Sequence, residues 1–169
     1  LHSGQAGDPI VRQEVLDVRV ASGRRLLAAS PDVAENQVDL ARALIDYGNF
    51  IFPNEDWTAT AEKYQEALDL LENLDRSQNS LWRKDYANCH KSLAKVTERG
   101  DANLPKALVH ITEAIAGFEA LVRESSALPN DLEQRDYQNE LNDSRAFAKK
   151  INAKILKDEG QHERARIEI

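Results

Sequence analysis

Two apolar stripes between residues 40 and 71 constrain the fold more than any other feature of the sequence. Each stripe steps by three or four residues, which is the spacing of side chains along one face of an α-helix. The first consists of Leu40, Leu44, Tyr47 and Ile51, and the second of Trp57, Ala61, Tyr64, Leu68 and Leu71. Because a lone helix cannot bury such a stripe, the two helices are expected to close face to face across residues 52–55. This stretch therefore predicts an αα-hairpin.

A second pair of stripes with the same spacing follows downstream. Its members are Trp82, Tyr86, Cys89, Leu93 and Val96 in one helix, and Leu104, Leu108, Ile111, Ile115, Phe118 and Val122 in the other. The first of these helices is expected to stop at Gly100, since glycine readily adopts the left-handed conformation that ends many helices. The second is predicted from about Leu104 to Arg123. The sequence thus repeats the helical hairpin.

Cap and turn residues predict the remaining boundaries. A helix is expected from Asp8-Pro9 to about Ala29, with apolar faces made by Ile10, Val11, Val15, Val18 and Leu26-Leu27. Ser30-Pro31-Asp32 is expected to begin the next helix, and the polar run from Arg76 to Ser80 to cap the one after it. Asn130 with Glu133 resembles a capping box that begins a third long helix.

Gly160 is predicted to end that third helix and to open a turn, in preference to an alternative alignment on Asp136-Tyr137. With this turn the chain contains about seven helices in a single domain spanning residues 1–169. The predicted parts are a partial repeat at 8–29, full repeats at 30–76 and 79–126, and a partial repeat at 130–169.

The positions of small and large residues give the hairpins a family resemblance. Tyr47-Gly48 lies midway along the first helix, where a glycine lets the second helix approach closely. Tyr64 and Ala67 supply an aromatic and a small residue in the second helix, and Leu93-Ala94 occupies the place of Tyr47-Gly48 in the second copy. This pattern resembles the tetratricopeptide repeat. The resemblance implies an all-α, right-handed α-solenoid of antiparallel helix pairs.

In that family the first helix of each repeat lines a concave groove that binds a segment of a partner protein. Carried over position by position, the resemblance implies six partner-binding residues: Arg42, Asn49, Asn88, Lys91, Lys95 and Arg99. A polar and locally basic groove of this kind suits carboxylates on a protein or peptide partner. The alternative interpretation of the same residues is a solvated helix face. The expected function is a protein–protein interaction scaffold or adaptor.

A structural array is the alternative function. The period from Asp39 to Asp85 exceeds the roughly 34 residues usual for this repeat. Long repeats with Trp-Arg-Lys-Asp-Tyr at the start of a helix resemble bacterial arrays attached to signalling or defence enzymes. Open arrays of helix pairs also expose apolar ends, so self-association is a further expectation. The chain contains no methionine, and we expect it to be a fragment of a longer protein.

The charge and composition of the sequence limit the classes of partner and the cellular compartment that it favours. The net charge of −7 argues against nucleic acid, which requires a basic surface. No run of about 18 apolar residues is present, so no membrane span is predicted. The single cysteine, Cys89, fits a reducing compartment, and we expect a cytoplasmic protein. The basic residues between Arg145 and Lys157 suit the C-terminal part of a long helix, with an acidic partner or a membrane surface as the alternative.

The few residues capable of catalysis do not form a recognisable site. Cys89 and His90 are neighbours on a helix and point about 100° apart, so they cannot act together as nucleophile and base. His110 and His162 lack a second histidine at metal spacing and are expected to be solvated or to support helix caps. The sequence therefore predicts no enzyme activity, no cofactor and no metal.

Overall fold

The computed structural model describes residues 9–74, 79–125 and 131–167, with side chains described for 132–160 in the last of these ranges. Regular secondary structure in this part of the chain is helical throughout, which confirms the all-α prediction. Its six α-helices are α1 (Pro9–Ala29), α2 (Ala34–Ile51), α3 (Trp57–Glu72), α4 (Ser80–Val96), α5 (Leu104–Ser125) and α6 (Asp131–Ile167). The chain divides into two compact units, an N-terminal unit (Leu1–Leu74) and a C-terminal unit (Asp75–Ile169).

The hairpin predicted for the N-terminal unit is confirmed. Helices α2 and α3 pack against each other, and Leu44 of α2 is fully buried. A short 3-10 turn at Phe52–Asn54 joins them and is followed by Glu55 in the left-handed conformation, at a φ of 61°. Helix α3 begins after Asp56, whose carboxylate accepts a hydrogen bond from the backbone N–H of Ala59 at 3.0 Å.

Gly48 packs directly against the ring of Tyr64, and the sequence predicts a close approach of the two helices at this glycine. A Cβ atom added at Gly48 would lie 2.6 Å from Cε1 of Tyr64, which is closer than van der Waals contact allows. The hydroxyl of the same tyrosine donates a hydrogen bond to Oδ1 of Asn49 at 2.8 Å. The close contact between α2 and α3 therefore depends on the absence of a side chain at position 48.

The buried face of α1 differs from the predicted one. Leu16, Val20 and Gly23 are buried in this helix. Of the residues that were predicted to form its apolar faces, Leu27 is half-buried and the other five are exposed, namely Ile10, Val11, Val15, Val18 and Leu26. The apolar positions of α1 therefore lie on more than one face, and α2 packs against only one of these faces.

Two predicted helix starts have different outcomes. Helix α2 begins at Ala34 and not at Ser30-Pro31-Asp32, because the Ser30 carbonyl accepts a hydrogen bond from the backbone N–H of Val33 in a turn. Helix α4 begins with Asn79 as its N-cap, and Oδ1 of this residue accepts hydrogen bonds from the backbone N–H groups of Leu81 and Trp82. The predicted cap residues Asp8 and Asn130, and the connector residues 76–78, lie outside the described residues.

In the C-terminal unit, α5 packs against α4 on one side and against α6 on the other. The core that these helices share is formed by Ala87, Ala94, Ala107, Ile111, Ala114, Phe118, Leu121, Tyr137, Leu141 and Ile151. Cys89 and Leu93 of the predicted α4 stripe are buried as well. The second predicted hairpin is thus confirmed, and a third helix joins it.

The prediction that Gly100 ends α4 in the left-handed conformation is wrong. The chain continues from α4 into a π-helix at Thr97–Asp101, and no glycine in the described residues has a positive φ. Ala102 takes the left-handed conformation instead, at a φ of 48°. The π-helix contains Glu98, a carboxylate that is buried in the C-terminal unit.

The predicted turn at Gly160 is also wrong. Helix α6 passes through this residue without interruption and runs for 37 residues. A glycine is tolerated there because it lowers helix propensity by only about 1 kcal/mol relative to alanine, too little to break a long helix. The described residues therefore contain one helix fewer than the predicted seven.

Candidate partner-binding site

Long side chains link α4 and its π-helical extension to α6 along one side of the C-terminal unit. Lys84 pairs with Asp136, Lys91 with Glu140, and Glu98 with Lys154. The three residues from the α4 side are seven positions apart, so they lie on one face, two helical turns from each other. Their partners follow in the same order along α6. We call this set of three ion pairs the α4–α6 ladder.

Lys91, a predicted partner-binding residue, belongs to the ladder. Its ammonium group donates a hydrogen bond to Oε2 of Glu140, and only 13% of its side chain is exposed. An acidic ligand would have to compete with this internal carboxylate for the same cation. A role of Lys91 in partner binding therefore remains a prediction.

Lys95 lies one helical turn beyond Lys91. In the described part of the chain, no carboxylate oxygen lies within the 4.0 Å ion-pair distance of its ammonium group. Burial lowers the pKa of Lys95, and the neighbouring charges of Lys91 and Arg99 lower it further, against the opposing effect of Glu140 and Asp143. Within the described structure, this ammonium group is thus partly desolvated and has no carboxylate at ion-pair distance.

A groove with a volume of about 370 Å³ opens beside this lysine. It is lined by Lys91, Lys95, Asp143, Ala146, Phe147 and Lys150. Two of these six residues are apolar and come from α6, so the groove presents an apolar patch next to its cations. Lys91 and Lys95, which both lie on α4, belong to the predicted partner-binding site.

Lys150 stands at the α6 side of the groove. Its Nζ atom lies 3.4 Å from Oε1 of Glu98 and 5.6 Å from the centre of the Phe147 ring. Lys154 pairs with the same oxygen of Glu98 more closely than Lys150 does. Although burial raises the pKa of Glu98, the two lysines outweigh this effect and hold it below its ordinary value.

The other predicted residues do not share this groove. Asn88 is half-buried and Arg99 is exposed at the π-helix. Arg42 lines a cavity of about 410 Å³ between α1 and α2, within the N-terminal unit. Asn49 accepts the hydrogen bond from Tyr64 that was described above, so its amide serves the packing of α2 on α3.

Sequence reasoning missed Lys150 and Glu98 as members of the site. The helix dipole was the favoured interpretation of the basic residues from 145 to 157, with an acidic partner or a membrane surface as the alternative, yet two of them pair with a carboxylate of another element. Arg145 also pairs with Glu119 of α5 at 2.7 Å. The seven-residue spacing of Lys84, Lys91 and Glu98 was the available signal, since it predicts three charged residues along one helix face.

The histidines provide a further correction. His90 is buried, and its Nδ1 atom lies 3.1 Å from Nδ1 of His110. The expectation of a solvated or cap-supporting histidine is therefore wrong for His110, while the side chain of His162 lies outside the described residues. Among the side chains that the structure describes, no group of three histidine, cysteine, aspartate or glutamate residues could hold a metal ion.

Cys89 is buried as predicted, and burial raises the pKa of its thiol above the ordinary range. A thiol that stays protonated is a poor nucleophile.

No protein-family model matches the chain, and no curated protein matches it in sequence. Across the residues with described structure, no helix combines the length and apolar character needed to cross a bilayer.

Proposed function

We propose that the chain is a protein-interaction module whose C-terminal unit binds an acidic segment of a partner protein in the groove beside Lys95. The observation that carries this proposal is the position of Lys95, which is partly desolvated and has no carboxylate within ion-pair distance in the described residues. A carboxylate from a partner would supply the missing counter-ion. Charge-assisted hydrogen bonds of this kind are about twice as strong as neutral ones.

The proposal extends to a right-handed tetratricopeptide-like solenoid, in a cytoplasmic protein. In that family the first helices of successive repeats lie side by side along the groove. Helices α4 and α6 would be such first helices, and the order of the α4–α6 ladder supports this assignment because the two helices run in the same direction. The acidic segment would then lie along α4 and α6.

Selection from a displayed library of random peptides tests the proposal without knowledge of the natural partner. We expect peptides enriched on the native chain to contain aspartate or glutamate. These peptides should bind Lys95→Gln at least about tenfold more weakly, a loss of about 1.4 kcal/mol. Lys157→Gln is the matched control, since Lys157 is an exposed lysine on α6 that does not line the groove.

Enrichment of peptides without acidic residues would overturn the proposal, as would equal losses of affinity in the two variants. Circular dichroism of both variants establishes that helicity is retained. Because Lys95 is only partly buried, its replacement by glutamine is expected to preserve the fold.

A self-associating module is the second candidate function, favoured by the exposed valines of α1. Val11, Val15 and Val18 share one face of this helix and are 55%, 53% and 64% exposed. A patch of this kind is expected to bind another apolar surface, and a second copy of the chain supplies one. Sedimentation equilibrium should then give a dimer or larger species, and Val15→Glu with Val18→Glu should give a monomer. A native chain that sediments as a monomer at high concentration excludes this candidate.

A further inference from the structure

We propose that the groove selects a single carboxylate with an adjoining apolar group, and that Lys150 leaves Glu98 to bind this carboxylate together with Lys95. The inference rests on the proposed function and specifies its ligand. It names the charge of the bound group, the surface that its apolar neighbour contacts, and a second cation from the basic residues of α6.

The charge balance of the groove favours one negative charge. Lys91 is neutralised by Glu140, and Glu98 by Lys154. Lys95 and Lys150 remain on the positive side and Asp143 on the negative side, which leaves a net charge of about one positive unit. A carboxylate matches this charge. A phosphate group, which carries roughly −1.5 to −2 near neutral pH, would exceed it and would be repelled by Asp143.

The walls of the groove favour an apolar group beside the carboxylate. Phe147 is half-buried and lines the groove together with Ala146. A ligand that places a ring or a branched side chain on this surface removes further apolar area from water, which is favourable in proportion to the area covered. Acetate alone would leave Phe147 in contact with solvent.

Lys150 is the cation that can move. Its side chain is 56% exposed, whereas that of Glu98 is 5% exposed. The carboxylate of Glu98 keeps its closer partner, Lys154, when Lys150 turns away. The ammonium group of Lys150 already lies over the ring of Phe147, so a change of rotamer is sufficient to bring it to a ligand on that surface. Lys150 is thus a specificity-determining residue, and Lys154 holds Glu98 in place.

Three small probes that share a phenyl ring test the inference by NMR titration of the isotope-labelled chain. They are 3-phenylpropanoate, its neutral amide and benzyl phosphate. We expect 3-phenylpropanoate to shift resonances around Phe147 with a Kd on the order of 1 mM. The amide and benzyl phosphate should bind at least several-fold more weakly, and acetate should cause no saturable shift.

Variants of the chain test the role of each lysine with the same probe. Lys150→Gln and Lys95→Gln should each weaken binding of 3-phenylpropanoate several-fold, while Lys150→Arg should restore it. Lys157→Gln, which alters an exposed lysine outside the groove, should leave the Kd unchanged.

The inference is overturned by tighter binding of benzyl phosphate, by an unchanged Kd in Lys150→Gln, or by absence of shifts around Phe147 with 3-phenylpropanoate. Its failure is distinct from failure of the proposed function. If the selected acidic peptides depend on Lys95 but benzyl phosphate is the best probe, only the ligand class is wrong. If neither peptides nor probes respond to Lys95→Gln, the groove is not the binding site.

Discussion

The Nδ1 atoms of His90 and His110 lie 3.1 Å apart at the contact between α4 and α5. A hydrogen bond at this distance requires one ring to donate and the other to accept, so the pair cannot hold a proton on both atoms. The ring of Tyr86 packs edge-on against His90, with their centres 4.7 Å apart. Burial lowers the pKa of His110, and the charge of Lys106 lowers it further, against the opposing effect of Glu113.

Acidification is therefore expected to destabilise the C-terminal unit. Because folding lowers the pKa of His110, the folded chain binds fewer protons than the unfolded chain as the pH falls through about 6.5, the ordinary histidine value. The contribution of neutral His110 to the free energy of unfolding is fully present above that pH and decreases progressively below it. Urea unfolding followed by circular dichroism between about pH 7.5 and pH 5.5 measures this loss.

His110→Gln is the matched control, since its amide oxygen can still accept a hydrogen bond from His90. This variant should lose less stability than the native chain over the same pH range, whatever its stability at neutral pH. Lys106→Gln should give an intermediate result because it removes one cause of the lowered pKa. Parallel pH profiles for all three proteins would contradict the prediction.

Gly48→Ala is expected to destabilise the N-terminal unit by about 1–3 kcal/mol, the usual cost of overpacking a well-packed contact. The new methyl group would lie 2.6 Å from the Tyr64 ring, and either α2 or the ring must move. Movement of the ring would also weaken the hydrogen bond from Tyr64 to Asn49. Thermal unfolding measures the loss.

Gly160→Ala provides the control for this substitution. A Cβ atom added at Gly160 meets no other atom within 4 Å, and the residue lies inside α6. Alanine should therefore raise helix stability by up to about 1 kcal/mol. The same chemical change thus has opposite expected signs at two glycines, and a destabilised Gly160→Ala variant would argue for a turn there after all.

Much of the fold follows from periodicity, as the two hairpins show. The stripe through Leu40 and Leu44 and the close approach of the two helices at Gly48 follow from local patterns, and both lie where the sequence predicts. The errors concern features without such a pattern. α1 has apolar residues on several faces, so the face that α2 covers could not be chosen from sequence. Gly160 has the residue type of a helix end but lies within a continuous helix.

The candidate site was less accessible to sequence reasoning because it depends on pairing between helices. Lys91 and Lys95 have the same charge and lie on the same helix, yet only Lys91 has a carboxylate of α6 within ion-pair distance in the described structure. The difference arises from where Glu140 lies when α4 and α6 pack on α5. Similarly, His90 and His110 are 20 residues apart and show no metal-binding spacing, but packing brings their rings together.

Loss of the Glu98 carboxylate is expected to destabilise the C-terminal unit by about 1–2 kcal/mol, less than for a fully buried ion pair because both lysines remain solvated. Glu98→Gln keeps the size of the side chain and removes its charge. Lys154→Gln should lower the free energy of unfolding by less, since Lys150 lies 3.4 Å from the same carboxylate and can replace Lys154 as its partner. Urea unfolding of both variants measures the difference. A larger loss for Lys154→Gln would show that Lys150 does not compensate.

Folding is also expected to protect Cys89 from thiol reagents. Burial raises the pKa of this thiol and the charge of Asp85 adds to the effect, so the native chain exposes almost no thiolate. Labelling must then wait for the C-terminal unit to open. With an opening free energy of about 4 kcal/mol or more, the native thiol should react at least about a thousandfold more slowly than in urea.

Because Cys89 is the only cysteine of the chain, absorbance of the released thiol product reports this one site. Glu98→Gln should accelerate labelling, since it weakens the same unit, and prompt stoichiometric labelling of the native chain would contradict the burial of Cys89.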